Sequence, residues 1–494
     1  MFKVKKSCHQ NLFLSFMLPL LILFFLSSLS SCKPSTDLKK ATFSRLTKIR
    51  TEKKQKVINY FGTVRKLAFE MQTDKKMSRF FLEMKKNNGN LNLEYALDEY
   101  SVSRYGQFYD ILFIDNSGYI FHSLRKESDY RTNIFNGRMA KTKLATGLKQ
   151  RKNFVEYDFY SPSGEPAAFF AMPLKQAEKQ LGWIVLQCAI NQVNTILTER
   201  KSLGRTGEVY LVNKNRLMLS DSRFLEDSTI LKLKVDTEAV KNSFKHHTGE
   251  SIINDYRGIR VFSSFEKFDL FGTSWIIITE IDEDEVLTDY YRKNRKYYNS
   301  EISDYLAERV IKNKKSDDKP KIVKRIDINE FAKAEPGELI KTYGVATCTA
   351  VTILFKNKFC YLSHISPMDK IYRRPRFINM LQERKSGDFL GELINKVKYF
   401  DLYPYELREL EFVVIAPHFK SFSGAVDEIL NNGMELSNIK FMYNPTAICA
   451  NVIADASQNT AIVNWVSDKA EIMEYSSGVE DLSSIFKKII QYDI

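Results

Sequence analysis

Tyr109-Asp-Ile-Leu-Phe-Ile-Asp-Asn-Ser-Gly118-Tyr-Ile-Phe-His-Ser123 organises the chain, because a second stretch repeats it. It reads as strand, turn and strand, since β-branched and aromatic runs flank an Asn-Ser-Gly turn. About a hundred residues later, Glu208-Val-Tyr-Leu-Val-Asn-Lys-Asn-Arg-Leu-Met-Leu-Ser220 has the same shape. An internal repeat of this size sets the architecture. Each unit closes with a further strand pair, 167–174 with 181–187 and then 258–265 with 272–280, and Trp183 and Trp275 are expected at equivalent places. The expectation is an α+β fold with two tandem lobes of antiparallel sheet and helices packed on them. Upstream, residues 39–86 are polar but carry Val57, Phe61, Val64, Ala68 and Met71 at helical spacing, which predicts one long amphipathic helix leading into the first lobe.

The 494 residues are 44% apolar and 27% charged, which fits two or three domains each able to bury a core. A formal charge of +14 would suit a nucleic-acid partner, but the 74 Lys and Arg are interleaved with 60 Asp and Glu. No zinc-finger, RRM or helix-turn-helix pattern accompanies them, so the excess reads as solvated surface and no nucleic acid is expected.

At the N-terminus, Lys3, Lys5 and Lys6 precede an apolar run over residues 12–26 and the small residues Ser27, Ser28, Ser30 and Ser31, the layout of a secretory signal. The segment Leu29-Ser30-Ser31-Cys32 resembles the bacterial lipobox, which implies lipidation at Cys32. The alternative is an uncleaved signal anchor, for which the run, broken by Ser15 and Pro19, is slightly short. Against both stand Lys33, Lys39, Lys40, Arg45 and Lys48, a flank that the positive-inside rule would keep in the cytoplasm. The segment 1–32 is thus expected as a leader or anchor that puts the chain in the bacterial cell envelope, outside the cytoplasm. Cys8, Cys188, Cys348, Cys360 and Cys449 are scattered, with neither disulfide framework nor metal-ligand spacing, and no cofactor is implied.

Gly204-Arg-Thr-Gly-Glu-Val-Tyr-Leu-Val-Asn213, Ser220-Asp-Ser-Arg-Phe224, Asp255-Tyr-Arg-Gly258 and Trp275-Ile-Ile-Ile-Thr-Glu280 resemble the membrane-proximal lobe of double Cache domains, the tandem PAS-like sensors of chemoreceptors and sensor kinases. The resemblance implies a sensor over residues 33–290, with a distal lobe at about 104–190 and a proximal lobe at about 204–285. The distal lobe of that family holds a small polar ligand such as an amino acid. An Arg and aromatic residues receive its carboxylate and an Asp its ammonium, the chemistry of a fork donor and an acceptor. By position the candidates are Tyr130, Arg131, Tyr157, Asp158 and Tyr160; no Trp follows Arg131 where amino-acid-binding members place one. Cache domains also pair through their N-terminal helices, so a homodimer is one expectation. The other is that Val57 to Met71 pack on their own domain. No second apolar span follows, and residues 291–324, with Lys312-Asn-Lys-Lys-Ser-Asp-Asp-Lys-Pro320, read as a charged, helix-prone and exposed linker.

Residues 325–494 alternate apolar strands with amphipathic helices, an expected α/β or α+β domain. Its chemical nucleus is Thr342-Tyr-Gly-Val-Ala-Thr-Cys348 followed by His364-Ile-Ser-Pro367, where a Cys after a Gly-containing turn precedes a His one strand later. With Ser423-Gly-Ala-Val-Asp-Glu-Ile-Leu-Asn-Asn-Gly-Met434, this frame resembles the chemotaxis receptor glutamine deamidases, the CheD family. The sequence departs from that family in Tyr443-Asn-Pro-Thr446 and in Ala346-Thr347 before the Cys. The resemblance implies Cys348 as nucleophile, His364 as its base and Thr342 as the group orienting the imidazole, acting on glutamine side chains of a protein substrate. The non-enzymatic alternative is a solute-binding signalling lipoprotein whose C-terminal domain docks a partner, with Cys360 free to pair with Cys348.

Overall fold

The computed structural model describes residues 38–87, 108–176, 179–188, 190–307, 322–356, 358–366, 371–372, 383–384, 386–466, 471–474 and 480–492. The leader and Cys32 lie outside the described residues. The chain divides into a first compact unit, Lys39–Val286, and a second that begins at Leu287. Among the described residues, no helix is long and apolar enough to cross a membrane.

The first unit opens with α1 (Leu38–Thr73) and α2 (Lys75–Lys86). The expected single helix is interrupted at Asp74, whose carboxylate accepts from Lys76 N and so caps α2. Leu46, Ile49, Val57, Phe61, Val64, Leu67 and Met71 form the buried stripe of α1. Arg50 and Lys53 are buried on α1 too. Arg50 donates to Ser264 Oγ at 2.8 Å and Phe265 O at 2.9 Å, and Lys53 to Ile196 O at 2.5 Å and the Glu199 carboxylate at 2.9 Å. Such burial is tolerable because carbonyls and carboxylates receive the cations.

Next come β1 (Phe108–Asp115), β2 (Ile120–Ser123), α3 (Lys143–Lys149), β3 (Phe154–Tyr160), β4 (Glu165–Gln176) and β5 (Lys179–Cys188), whose strands form an antiparallel sheet of order β2-β1-β5-β4-β3. After α4 (Ile190–Thr198) the proximal lobe repeats the plan with β6 (Glu208–Asn213), α5 (Glu238–His246), β7 (Thr248–Asn254), β8 (Arg260–Leu270) and β9 (Thr273–Asp282), in the order β6-β9-β8-β7. The repeat extends to single hydrogen bonds. Asp115 Oδ1 accepts from Ser117 N and Tyr119 N at 2.9 and 3.1 Å, and Asn213 Oδ1 accepts from Asn215 N and Leu217 N at 2.9 and 3.0 Å. Each side chain thereby closes the turn that ends its strand.

The two tryptophans are not equivalent, which corrects the reading from sequence. Asp115 pairs with Gly182 whereas Asn213 pairs with Trp275, so Gly182 is the counterpart of Trp275 and Trp183 stands one residue away. Successive strand residues point to opposite faces. Trp275 therefore enters the core beside Phe61 and Tyr157, while Trp183 meets Phe135 on the other side of its sheet.

In the second unit, α6 (Glu283–Ala307) begins before the boundary at Leu287 and continues across residues expected to be linker. Tyr291 and Tyr298 are buried, each 5.2 Å from the Phe486 ring, and Arg295 pairs with Asp427. Leu287, Tyr291, Tyr298 and Ile302 make a helical stripe that the surrounding charges obscured. Only residues 308–321 of the expected linker lie outside the described residues.

The rest of this unit holds two sheets. One contains β10 (Ile322–Arg325), β12 (Glu338–Val345), β19 (Cys449–Asp455), β20 (Thr460–Val466) and β21 (Glu471–Glu474), in that order. The other runs β11 (Glu330–Ala334), β14 (Phe359–Ile365), β13 (Thr349–Phe355), β17 (Glu411–Ala416) and β18 (Ile439–Tyr443). A two-residue pair, β15 (Ile371–Tyr372) with β16 (Glu383–Arg384), stands apart. One core takes Ile340, Val452 and Trp465 from the first sheet and Ala350, Leu362 and Val413 from the second. Helices α7 (Ser386–Lys396) and α8 (Phe419–Asn431) pack on the second sheet, and α9 (Leu482–Ile489) lies against β18. Among the described strands only β10–β12 and β17–β18 are parallel, so α+β describes the unit better than α/β.

A Cβ on Gly182 would sit 2.1 Å from the Ile114 carbonyl oxygen, whereas one on Gly62, within α1, would meet nothing within 4 Å. Gly182→Ala is expected to cost about 1–3 kcal/mol by forcing β1 and β5 apart. Gly62→Ala should gain about 0.5–1 kcal/mol through helix propensity. Urea unfolding of the two variants checks both signs.

Candidate functional site

Each unit holds a group of buried polar side chains with atoms left unpartnered among the described residues. The first lies on the face of the distal sheet opposite the α1 core. On β1, Ile111 and Phe113 join that core, while Leu112 and Ile114 pack with Met139, Leu144 and Leu148 on the other face. Strand alternation puts Asp110 on this second face, together with Gln187, its partner across β5. Both are buried. Asp110 accepts from Ser123 Oγ at 2.7 Å, Ile111 N at 2.7 Å and Arg125 N at 3.1 Å. Buried Asp129 accepts from Tyr160 OH at 2.7 Å through Oδ2. Asp129 Oδ1 and Gln187 Nε2 are buried without a partner among the described residues. Leaving such groups unpaired costs on the order of 1–3 kcal/mol each.

Burial, with the Asp129 charge adding to it, pushes the Asp110 carboxyl up to about 6. Burial also pushes Asp129 up, against the hydrogen bond from Tyr160. A cation placed between them would reverse both shifts.

The proximal lobe offers a contrast. Glu280 and Glu208 pair directly across β6 and β9, yet Glu280 accepts from Ser263 Oγ at 2.7 Å and Tyr210 OH at 2.9 Å. Glu208 accepts from Tyr256 OH at 2.7 Å and Arg223 N at 2.8 Å. Burial lifts Glu280 to about 8, so neutral pH leaves it largely protonated. These carboxyls are consumed internally.

Of the five residues named for the distal pocket, Tyr160 lies beside Asp129. Asp158 pairs with Ala167, which places it on the same face, half-buried. Tyr157 does not join them. A bulge between Val155 and Asp158 turns it to the α1 side, where it stacks on Trp275 with ring centroids 6.3 Å apart. Tyr130 is half-buried, and Arg131 is exposed with a left-handed φ of 60° and its guanidinium over the Tyr130 ring. Asp110, Asp129 and Gln187 were missed. A lone carboxylate opening an apolar strand, and a lone Gln inside Val-Leu-Gln-Cys, were the available signals.

The second group unites two of the three catalytic candidates. Thr342 Oγ1 stands 2.8 Å from His364 Nδ1 and donates its proton to Ile326 O at 3.1 Å. A hydroxyl has one proton to give. With the Thr342 proton on Ile326 O, Thr342 accepts from Nδ1–H and Nε2 is the unprotonated acceptor; Nε2 is buried and unpartnered among the described residues. Burial lowers the ring's pKa, with Asp327 opposing, so the imidazole is neutral.

Cys348 directly precedes β13, and Ala350 pairs with His364. Alternation sets Cys348 on the His364 face, a diagonal step of roughly 7 Å away. The thiol makes no hydrogen bond to the ring, and burial pushes its pKa above the ordinary value, with Thr347 acting against this. The resting pair is thus thiol and neutral imidazole, with the proton on Cys348 Sγ. Cys360 pairs with Leu354, six residues along β14 from Ser366, which lies opposite Cys348 (366 − 360 = 6). That separation is about 20 Å, so no disulfide can join the two cysteines. Among the described residues, no three His, Cys, Asp or Glu side chains group to hold a metal ion.

A family model described as Cache domain matches residues 37–290. Among solved structures, the ligand-binding domain of a Pseudomonas aeruginosa amino acid chemoreceptor in complex with L-Gln is similar at 14% identity, covering 49% of this chain and 91% of that one, with a TM-score of 0.35. A second P. aeruginosa chemoreceptor domain, in complex with GABA, is similar at 16% identity, covering 49% and 100%, with a TM-score of 0.33. The periplasmic sensory domain of a Campylobacter jejuni chemoreceptor is similar at 14% identity, covering 50% and 98%, with a TM-score of 0.38. No curated protein sequence matches the chain.

The Asp110 carboxyl holds its proton more tightly folded than unfolded, at about 6 against 3.8. Its contribution to stability is therefore full below the unfolded value and is lost as pH rises through about 6. Asp110→Asn cannot titrate there. Plotted against pH, the stability difference between variant and wild type should shift in the variant's favour between pH 4 and 6 and stay level above; a level difference throughout contradicts the assignment.

Proposed function

We propose a sensor joined to a hydrolase, from the premise that the chain belongs to the Cache domain family. In this reading residues 37–290 work outside the cytoplasm and take a small ligand bearing a protonated amine, held at the bacterial envelope by the leader or by lipid on Cys32. What carries the ligand site is the unpartnered Asp129 Oδ1 beside Asp110 on one buried face. An ammonium would satisfy both acids, and Gln187 Nε2 would donate to a carboxylate or hydroxyl on the same molecule. An amino acid fits this demand, with Arg131 exposed and its guanidinium over the Tyr130 ring.

The second unit is read as a cysteine amidohydrolase acting on glutamine side chains, and the 2.8 Å contact of Thr342 with His364, which leaves Nε2 buried and unpartnered among the described residues, supports it. With substrate present, Nε2 takes the Cys348 proton and Sγ attacks the carboxamide carbon. The C–S bond forms, the C–N bond breaks, and ammonia leaves with the proton returned by His364. Water then cleaves the thioester, leaving glutamate and the thiol. Thr342 orients the ring throughout.

Two experiments on the full chain test the two halves. Thermal midpoints measured across a panel of amino acids and primary amines should rise for at least one compound, because a ligand that binds only the native state stabilises it by about 2.7 kcal/mol at a hundredfold excess over Kd. Asp129→Asn should erase that rise; an unchanged rise in Asp129→Asn contradicts the site.

For the second half, ammonia release from a glutamine-rich protein such as β-casein should disappear in Cys348→Ala and in His364→Ala alike, because the pair acts as a unit. Thr342→Val should slow it roughly tenfold by freeing the tautomer. Release that survives in both variants, or no release from wild type, contradicts the cysteine chemistry and favours a domain that docks a partner, a reading with which the raised Cys348 thiol agrees.

A further inference from the structure

The turn before Cys348 is held from outside its own sheet. Ser421 Oγ, in the first turn of α8, donates to the Thr347 carbonyl oxygen at 2.6 Å. The Thr347–Cys348 peptide is a planar trans unit whose C=O and N–H point in opposite directions. Fixing the carbonyl toward α8 therefore fixes the Cys348 N–H toward the opposite side. Helix α8 packs on the face of the second sheet carried by β13 and β17, whereas Cys348, Ala350 and Leu354 belong to the core between the two sheets. The Cys348 N–H is thus directed to the side that holds Cys348 Sγ, His364 and Thr342. It donates to no backbone carbonyl among the described residues.

We propose that Ser421 is a positioning residue: by holding the Thr347 carbonyl it aims the Cys348 N–H at the oxygen that becomes negative when Cys348 attacks a carbonyl carbon. The inference rests on the reading of Cys348 as a nucleophile and adds to it a residue outside the Thr342, Cys348 and His364 set. A preorganised donor accelerates acyl transfer because it meets the developing oxyanion without reorganising. Without Ser421 the peptide can rotate, and the donor is present but poorly aimed. Alkylation by iodoacetamide displaces iodide at a saturated carbon and develops no oxyanion, so it does not use this donor.

Two reactions of the full-length protein separate these roles. Acetylation by p-nitrophenyl acetate forms the Sγ–C bond, breaks the ester C–O bond and expels p-nitrophenolate, and is followed at the absorbance of that ion. Alkylation by iodoacetamide is followed by mass spectrometry of the Cys348 peptide. Ser421→Ala is expected to slow the acetylation by roughly ten- to a hundredfold, somewhat less than removal of a whole oxyanion donor, while leaving the alkylation rate within twofold. Ser421→Thr keeps the hydroxyl and should restore acetylation. Unchanged acetylation in Ser421→Ala overturns the proposal, as does an equal fall in both reactions, which would mean a distorted turn. If Cys348→Ala releases p-nitrophenolate as fast as wild type, the nucleophile reading itself falls and the proposal with it.

Discussion

One apolar stripe on α1 has to fill the inner faces of two sheets. Phe61 is the point where this happens: its ring lies 5.8 Å from Phe154 and 6.2 Å from Tyr157 on β3, and 5.2 Å from Trp275 on β9. Edge-to-face contacts of this kind add about 0.5–1.5 kcal/mol each to the burial of the rings. The same knot carries one polar bond, from Trp275 Nε1 to Glu156 Oε1 at 2.8 Å. That bond needs the bulge in β3, which presents neighbouring Glu156 and Tyr157 together to the proximal lobe. The bulge also returns Tyr160 to the opposite face, beside Asp129. One irregularity in one strand thus ties the proposed ligand face to the shared core. Tyr160 and the Glu156 and Tyr157 that contact Trp275 thus belong to one strand, β3.

Polar capacity is distributed unevenly over the molecule. In the proximal lobe Glu208 and Glu280 are met by hydroxyls and a backbone donor, so these two help to specify the sheet. In the distal lobe Asp129 and Gln187 keep atoms unpaired on one face. In the second unit the same economy appears at a single ring, where Thr342 spends its proton on Ile326 O and thereby leaves His364 Nε2 open. Unpaired buried groups cost stability, and both sets occur where the fold supplies complementary chemistry nearby.

The repeat was legible because turn chemistry is local: Asp115 and Asn213 each close a turn within four residues, and the apolar runs around them fix the strands. The stripe on α1 was legible for the same reason. What failed depended on register, which no local pattern contains. Trp183 and Trp275 look alike in sequence, yet one residue of offset sends them to opposite faces. Tyr157 was misplaced because a β-bulge breaks period two without leaving a mark in composition. Asp110 and Gln187 face each other only through the pairing of β1 with β5, a contact across more than seventy residues of chain (187 − 110 = 77). Thr342 and His364 meet because β12 and β14, in different sheets, face one another, a contact that spacing alone does not contain. The buried stripe of α6 was hidden by the charged residues around it, among them the exposed Arg292, Lys293, Arg295 and Lys296.

The central claim is that α1 gives the two lobes one core. Hydrogen–deuterium exchange of the full chain carrying Phe61→Ala tests it most directly, because local opening reports which elements share stability. If the core is shared, exchange should quicken together in β3 and β4 of the distal sheet and in β6 and β9 of the proximal sheet. Quickened exchange in one lobe, with the other protected as in wild type, would contradict the account.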